Sequence, residues 1–317
     1  MQQYIVKRLL LAVPTIFGAI TLVFFAMQAA PGDPSSLFIR PDMPPAESAE
    51  MLKRVNEKYG FNDPIHVQYF RYIQKLARLD LGESLREGTS VLDDLKSRLP
   101  NTLRLGLAAL AISAVLGISL GVISAIHRGT WIDNVAISVA LLGVSVPSFW
   151  LALTLILIFA LRLPWLPPSG LGDSPWSWDG IKAMILPMTV LVLGSAGGLA
   201  RYTRSAMLEV INQDYVRTAR AKGLAATTVI SRHALRNALI PIVTLLGLNF
   251  GFILSGAVIV ETVFAWPGIG RYLVLGVQGR DFPVVQATVL LIAIGFVVCN
   301  LITDLLLVYI DPRIRFE

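Results

Sequence analysis

Between residues 214 and 237 the chain reads DYVRTARAKGLAATTVISRHALRN, and five basic side chains, Arg217, Arg220, Lys222, Arg232 and Arg236, crowd around a single glycine, Gly223. Good helix formers stand on both sides of that glycine. The spacing predicts a short helix that Gly223 ends in a left-handed conformation, with a second helix starting just beyond it. Such a knuckle suits docking, or more plainly marks one face of a membrane. Bond-breaking chemistry is harder to assemble. The sequence holds no Gly-Lys dipeptide, hence no Walker-type loop for nucleotide phosphates, and no His-Glu-x-x-His zinc motif. His66, His127 and His233 are expected in loops, which leaves no Ser-His or metal centre within the apolar stretches. Cys299, the sole cysteine, excludes an intrachain disulfide and reads as a packing residue. One polar pair remains. Asn300 and Asp304 lie one helical turn apart in an apolar stretch, where a carboxylate costs about 2.5–3.5 kcal/mol to insert, so Asp304 needs a partner. A structural bond to a neighbouring helix and an ion or proton relay are the two readings.

The elements that must position these groups are membrane helices. At 55% hydrophobic and 15% charged residues, with mean hydropathy +0.66, the 317-residue chain exceeds the apolar content of a water-soluble domain. Six apolar blocks, at 9–29, 102–126, 134–161, 181–200, 238–260 and 284–310, approach the roughly 20 residues needed to span a bilayer. Backbone groups in lipid must pair within their own segment, so each block is expected to be helical. The first, about 20 residues long, exceeds a secretory h-region and reads as an uncleaved anchor. Small residues recur at four-residue spacing: Ser113, Gly117 and Gly121 in the second span, Gly194 and Gly198 in the fourth, Gly247, Gly251 and Ser255 in the fifth. They predict close helix packing, with lining of a translocation path as a second reading for the fifth span, and the two can coexist at a dimer interface. Pro14 and Pro147 are expected kinks.

Charge sets the expected orientation. If Lys7 and Arg8 are inside, the same side collects Arg128, the seven Lys and Arg residues between Arg201 and Arg236, Arg313 and Arg315, which makes twelve. The short segments opposite hold five, Arg104, Arg162, Lys182, Arg271 and Arg280, so both termini are expected in the cytoplasm. Topology then accounts for the net charge of +6, and no nucleic-acid partner is implied. Residues 31–101 form the one sizeable polar piece, with helical patterns at 47–59 and 64–79 and a third stretch from Thr89 and Ser90 through Asp93 and Asp94 to Arg98. A solvated cap over the outer mouth and a docking surface for an external binding protein are both open.

The order Ala219, Gly223, His233, Asn237 resembles the cytoplasmic EAA loop of permeases from binding-protein-dependent ABC importers, and RTARAKG with HALRNALIP resembles the dipeptide, oligopeptide, nickel and glutathione group. Arg217 stands at the glutamate position of the general pattern and Arg236 at its proline position. YIVKRLLLAVPT with PGDP at residues 31–34 resembles that group's N-terminus, and ETVFAWPGIGRYL with RDFPVVQA its last external loop, so the likeness covers nearly the whole chain. The resemblance implies an all-α polytopic protein of the type I (MetI-like) permease fold, six-spanning with both ends inside: an anchor at 1–30, an external, periplasmic region at 31–101 and a five-helix core at 102–317. It implies a coupling loop at about 201–237, with contacts at Tyr215, Arg217, Ala219, Arg220, Ala221, Lys222, Gly223, Leu224, His233, Arg236 and Asn237. It also implies a multi-pass inner-membrane subunit with no cofactor of its own, served by two ATPase subunits that bind ATP and Mg, a second homologous permease as a heterodimer, membrane lipid and an extracytoplasmic binding protein. Di- or oligopeptides are the expected cargo, with glutathione, nickel or oligosaccharide as alternatives. A self-contained secondary transporter or channel would need inverted repeats, paired intramembrane charges or a pore motif, and the sequence offers none.

Overall fold

The computed structural model describes residues 2–29, 35, 38, 43–172, 174 and 177–310, with backbone alone at 2–7, 9, 252–256 and 308–310. Among these the architecture is helical: α1 (Gln2–Ala29), α2 (Pro45–Tyr59), α3 (Ile65–Ala77), α4 (Val91–Ile126), α5 (Trp131–Ser145), α6 (Ser148–Leu155), α7 (Trp178–Ile211), α8 (Asp214–Ala221), α9 (Ala226–Thr228), α10 (Arg236–Val263), α11 (Ile269–Gln278) and α12 (Phe282–Ile310). Two π-helical turns, Ile156–Arg162 and Val229–Leu235, continue α6 and lead into α10. Five helices are long and apolar enough to cross a membrane, and the α5–α6 pair supplies a sixth crossing if the two count as one span. Antiparallel pairing places the start of α1, the α4–α5 turn, the α8–α9 region and the end of α12 at one end of the bundle.

Several helices outrun their apolar blocks. The polar stretch expected at 89–98 and the second span are one helix that runs through Pro100: Ser90 caps it by accepting from the Asp93 N–H, and Asp93 and Asp94 lie in its first turn. At 36 residues α4 is about 54 Å long and projects well past a 30 Å hydrocarbon layer. Similarly, α7 continues eleven residues beyond the expected end at Ala200, so Arg201 and Arg204 lie on a rigid helix rather than at the start of a loop. No glycine or proline interrupts that extension, and Thr203, Ala206 and Met207 bury one face of it.

The third span departs most from expectation. It is broken at Val146 and Pro147 into two helices inclined at 97°, far more than a kink, because the residue before a proline is driven out of the α region and Val146 is extended at φ −91°, ψ 127°. The fourth span, the shortest and most glycine-rich block, is the central one. Half of the apolar stretch of α7 is buried, against 17% for that of α1 and 11% for that of α12, so α7 is the core and those two helices lie at the periphery.

Small residues mediate close packing, but not always the expected ones. Gly117 and Gly121 of α4 meet α7 directly, and a Cβ at Gly117 would stand 3.0 Å from the Ala196 carbonyl oxygen. Ser113 hydrogen-bonds Ser195 at 2.7 Å on the same seam. Gly194 and Gly198, expected to pack, instead face open space, and the close contact belongs to Gly197 against the Ala140 carbonyl and to Gly143 against the Leu193 carbonyl. In α10 the small face is occupied from within the chain. Gly247 abuts Thr303 and Gly251 abuts the Phe296 ring, both on α12, which corrects the reading of this face as a contact with a second subunit. The Ser255 side chain lies outside the described residues. Gly251→Leu is therefore expected to weaken the fold itself by the roughly 1–3 kcal/mol typical of overpacking. Its thermal unfolding in detergent should fall for the isolated chain; an unchanged transition would show that this contact gives way freely.

Candidate functional site

At the basic end, the expected knuckle forms. Asp214 stands in the first turn of α8 and Arg220 in its last, each opposite in sign to the partial charge of that terminus. The helix closes in a Schellman motif: the Gly223 N–H donates to the Arg220 carbonyl at 2.9 Å and the Leu224 N–H to the Ala219 carbonyl at 3.4 Å, with Gly223 at φ +74°. The chain then re-enters helix at Ala226 and passes through the π-helical turn into α10.

Burial sorts the residues of this segment. Val216 and Val229 are fully enclosed and Ala219 nearly so, together forming a small core that clips α8 to the π-helical turn. Ala219, expected as a contact residue, is therefore a packing residue. Tyr215, Arg217, Arg220, Ala221, Lys222, Gly223 and Leu224 are exposed, and Tyr215 and Leu224 leave over two-fifths of their surfaces open. Arg217 lies 3.6 Å from Asp214 in an exposed pair of little energetic weight. His233 is half-buried within the π-helical turn, so it does not lie in a loop, and its carbonyl accepts from the Asn237 amide at 3.2 Å. Arg236 and Asn237 open α10 and are exposed. The surface that results combines basic side chains with two apolar ones on a backbone that packing holds in place.

Behind the knuckle lies a clamp that no sequence motif announced. Asp133, in the first turn of α5, is 4% exposed and receives a two-pronged contact from Arg204 of α7, at 2.8 Å from Nε and 2.7 Å from an Nη. The Ser124 hydroxyl and the Gly129 N–H donate to the same carboxylate. Both oxygens are thereby satisfied, the condition under which a buried ion pair holds its geometry. The clamp ties the α4–α5 turn to the part of α7 that runs into α8. A cluster of Ala125, Leu199, Ala206, Met207, Ala234, Ala238 and Ile242 fills the space between, joining α4, α7, the π-helical turn and α10. Movement of the knuckle is thus tied to α7 and α10 through packed side chains.

At the opposite end, ETVFAWPGIGR folds into a hook. Glu261 is fully buried near the end of α10 and accepts from the Thr102 hydroxyl at 2.6 Å, the Gly270 N–H at 2.7 Å and the Arg271 N–H at 3.0 Å. Its carboxyl supplies the acceptor that the first amides of α11 need. Thr102 in turn accepts from the Ile269 N–H at 2.9 Å. Trp266, wholly enclosed, donates from its indole to the Asn101 carbonyl at 3.1 Å, and the Asn101 amide donates to the Pro267 carbonyl at 3.0 Å. Gly268 and Gly270 leave the room for this, since a Cβ at Gly268 would strike the Glu261 carboxylate. Next to the hook, the Tyr272 hydroxyl donates to Asp94 at 3.0 Å while the Arg98 guanidinium covers its ring at 4.5 Å. Burial, reinforced by that hydrogen bond to Asp94, pushes the phenol well above its usual range, so it stays a donor. Asp281 is likewise buried and accepts from Ser84 at 2.6 Å, docking the 82–90 loop onto the start of α12.

Asp304 has a partner, as its position demanded. An Arg8 guanidinium nitrogen of α1 lies 3.0 Å from its carboxylate, and both line a cavity of about 160 Å³ with Thr15 and Asn300. The pair ties the first helix to the last. Among the described residues no group of three or more His, Cys, Asp or Glu side chains could hold a metal ion.

Residues 117–316 match the family described as binding-protein-dependent transport system inner membrane component, and residues 1–106 match its N-terminal companion family. The glutathione transport system permease protein GsiC of Escherichia coli strain K12 is 39% identical over 317 residues, all of both chains, and its counterpart in Salmonella paratyphi A is 40% identical over the same extent. Solved structures carry the same fold at low identity. An inward-facing structure of the MetNI methionine ABC transporter is matched with a TM-score of 0.56 and 19% identity, over 68% of this chain and 96% of that one. An amino acid ABC transporter with histidines is matched at 0.51 and 20%, over 70% and 95%. Full-length identity to permeases and the MetI-like fold agree, and the chain belongs to the family of inner-membrane permease components of binding-protein-dependent ABC importers.

Proposed function

We propose that this chain forms half of the translocation pathway of an ATP-driven importer for peptides, glutathione included, and that the knuckle around Gly223 is its seat for an ATPase subunit. The peptide reading rests on the RTARAKG and HALRNALIP patterns and on full-length similarity to permeases named for glutathione, itself a tripeptide. The observation that carries the coupling role is the exposed, self-packed knuckle at the end of α7, with Tyr215, Arg220, Lys222 and Leu224 outward and the Asp133–Arg204 clamp behind it. A rigid projection transmits closure of a partner. A floppy loop would absorb it.

With no Gly-Lys dipeptide to hold nucleotide phosphates, ATP and Mg belong to separate ATPase subunits. A second permease completes the pathway as a heterodimer, and an extracytoplasmic binding protein delivers the cargo. In this arrangement the knuckle and both termini face the cytoplasm, with residues 31–101 outside. Uptake by reconstituted vesicles is the direct test: the chain alone should be inactive, and addition of companion permease, ATPases, binding protein and ATP should restore peptide accumulation. Transport by the chain alone would point to a self-contained carrier instead.

Orientation has its own test. In a Cys299→Ala background, cysteine at exposed Ser174 is expected to react with an impermeant thiol reagent applied from outside, and cysteine at exposed Thr227 to react only after the membrane is opened. The reverse pattern would invert the topology.

A further inference from the structure

The helix α3, IHVQYFRYIQKLA, is strongly amphipathic, yet none of its residues is buried within the chain. Ile65, Tyr69, Tyr72, Ile73, Leu76 and Phe70 lie on one face, with His66, which is helical and not in a loop, among them; Val67, Gln74, Lys75 and Arg71, the last paired with Asp63 at 2.7 Å, lie on the other. Only part of the apolar face is covered. Tyr69 and Tyr72 lean on Phe24 of α1 at 5.2 and 5.7 Å, Tyr69 stacks on Phe25 at 5.7 Å and hydrogen-bonds Thr21 at 2.7 Å, and Gln68 accepts from Gln28 at 2.7 Å. At the two edges of the face, Phe70 is 64% exposed and Ile65 51%.

Depth follows from those contacts. The partners Thr21 to Gln28 cover about 10 Å of helix and belong to the last two turns of the apolar run Leu10–Ala29. The part of α3 that touches them lies at the level where a spanning helix leaves hydrocarbon for headgroups. On α1, Phe25, against which Tyr69 stacks, and Leu22 are themselves exposed. A docking surface for a water-soluble partner would have to begin at the depth of these residues.

We infer that α3 is an interfacial helix resting in the phospholipid boundary beside α1, with Phe70 and Ile65 inserted among the acyl chains. An amphipathic helix in that position buries its apolar face about 5–10 Å below the headgroup boundary, and tyrosines at the edge of a span fit the same layer. The region between the first two spans is then in part a membrane-bound collar, which leaves α2 as its water-facing helix.

The test uses the assembled transporter in nanodiscs of phosphatidylethanolamine and phosphatidylglycerol, in a Cys299→Ala background, with a nitroxide on Phe70→Cys and, as control, on exposed Glu57→Cys of α2. Power-saturation measurements should find the Phe70 label severalfold more accessible to oxygen than to water-soluble chromium oxalate, and the Glu57 label the reverse. If the Phe70→Cys protein fails to accumulate, Ile65→Cys on the other edge should give the same reading. Free access of chromium oxalate to the Phe70 label would overturn the inference. So would a label shielded from both reagents: shielding only when binding protein is added would identify a protein-docking face, and shielding without it would identify the companion permease.

Discussion

Glu261→Gln is expected to lower the stability of the chain by about 1–3 kcal/mol, the cost of leaving one buried donor without an acceptor. The Thr102 hydroxyl accepts from the Ile269 N–H and donates onward to Glu261, while two backbone N–H groups donate to the other carboxylate oxygen. Every contact of the side chain is thus one in which it accepts. A carboxylate meets that demand with both oxygens. Glutamine can meet it with one: if that oxygen takes the two N–H groups, its amide can only donate to the Thr102 oxygen, and the Thr102 hydroxyl proton loses its acceptor. Glu261→Ala is expected to be worse, since it strips the acceptor from three donors and empties a fully enclosed site beside Trp266. Fluorescence-detected unfolding in detergent should show both variants melting earlier, alanine before glutamine. Indistinguishable unfolding of wild type and Glu261→Gln would mean that the hook does not depend on this carboxylate.

The hook also shows why part of the site was hidden in the sequence. Glu261 is 159 residues from Thr102, and Asp133 is 71 from Arg204, so neither pair leaves a local pattern. The knuckle was legible because its determinants are local: helix formers, a glycine able to take positive φ, and a restart three residues on. The spans were legible for the same reason. Their rotation was not. Gly194, Gly197 and Gly198 are adjacent on α7, and spacing alone could not tell which of them meets a neighbour. That choice is made by the α4 and α5 surfaces, which put Gly197 inward and left the other two exposed. Pro147 announced a kink, and the larger break depends on how α6 packs against α7 and α10 through Ala152, Leu186, Val190 and Val260.

Gly223→Val is expected to abolish ATP-driven uptake in the reconstituted transporter while leaving membrane insertion intact. Gly223 sits at φ +74°, where a β-branched residue is strained by about 1 kcal/mol or more. A Cβ built there meets nothing within 4 Å, so the strain arises from the backbone conformation rather than from crowding at Cβ. The simplest relief is to leave the left-handed region, which breaks the bonds from Gly223 to Arg220 and from Leu224 to Ala219 and redirects Leu224. The buried base at Val216, Ala219 and Val229 has no reason to change, so damage should be confined to the exposed tip that we assign to the ATPase. Asparagine tolerates the left-handed region far better than valine. Gly223→Asn should therefore retain most uptake, and this contrast separates backbone geometry from the mere presence of a side chain. Equal loss in both variants would mean that the partner needs the bare glycine surface. Wild-type uptake and ATPase association in a well-expressed Gly223→Val protein would remove the coupling role from this turn altogether.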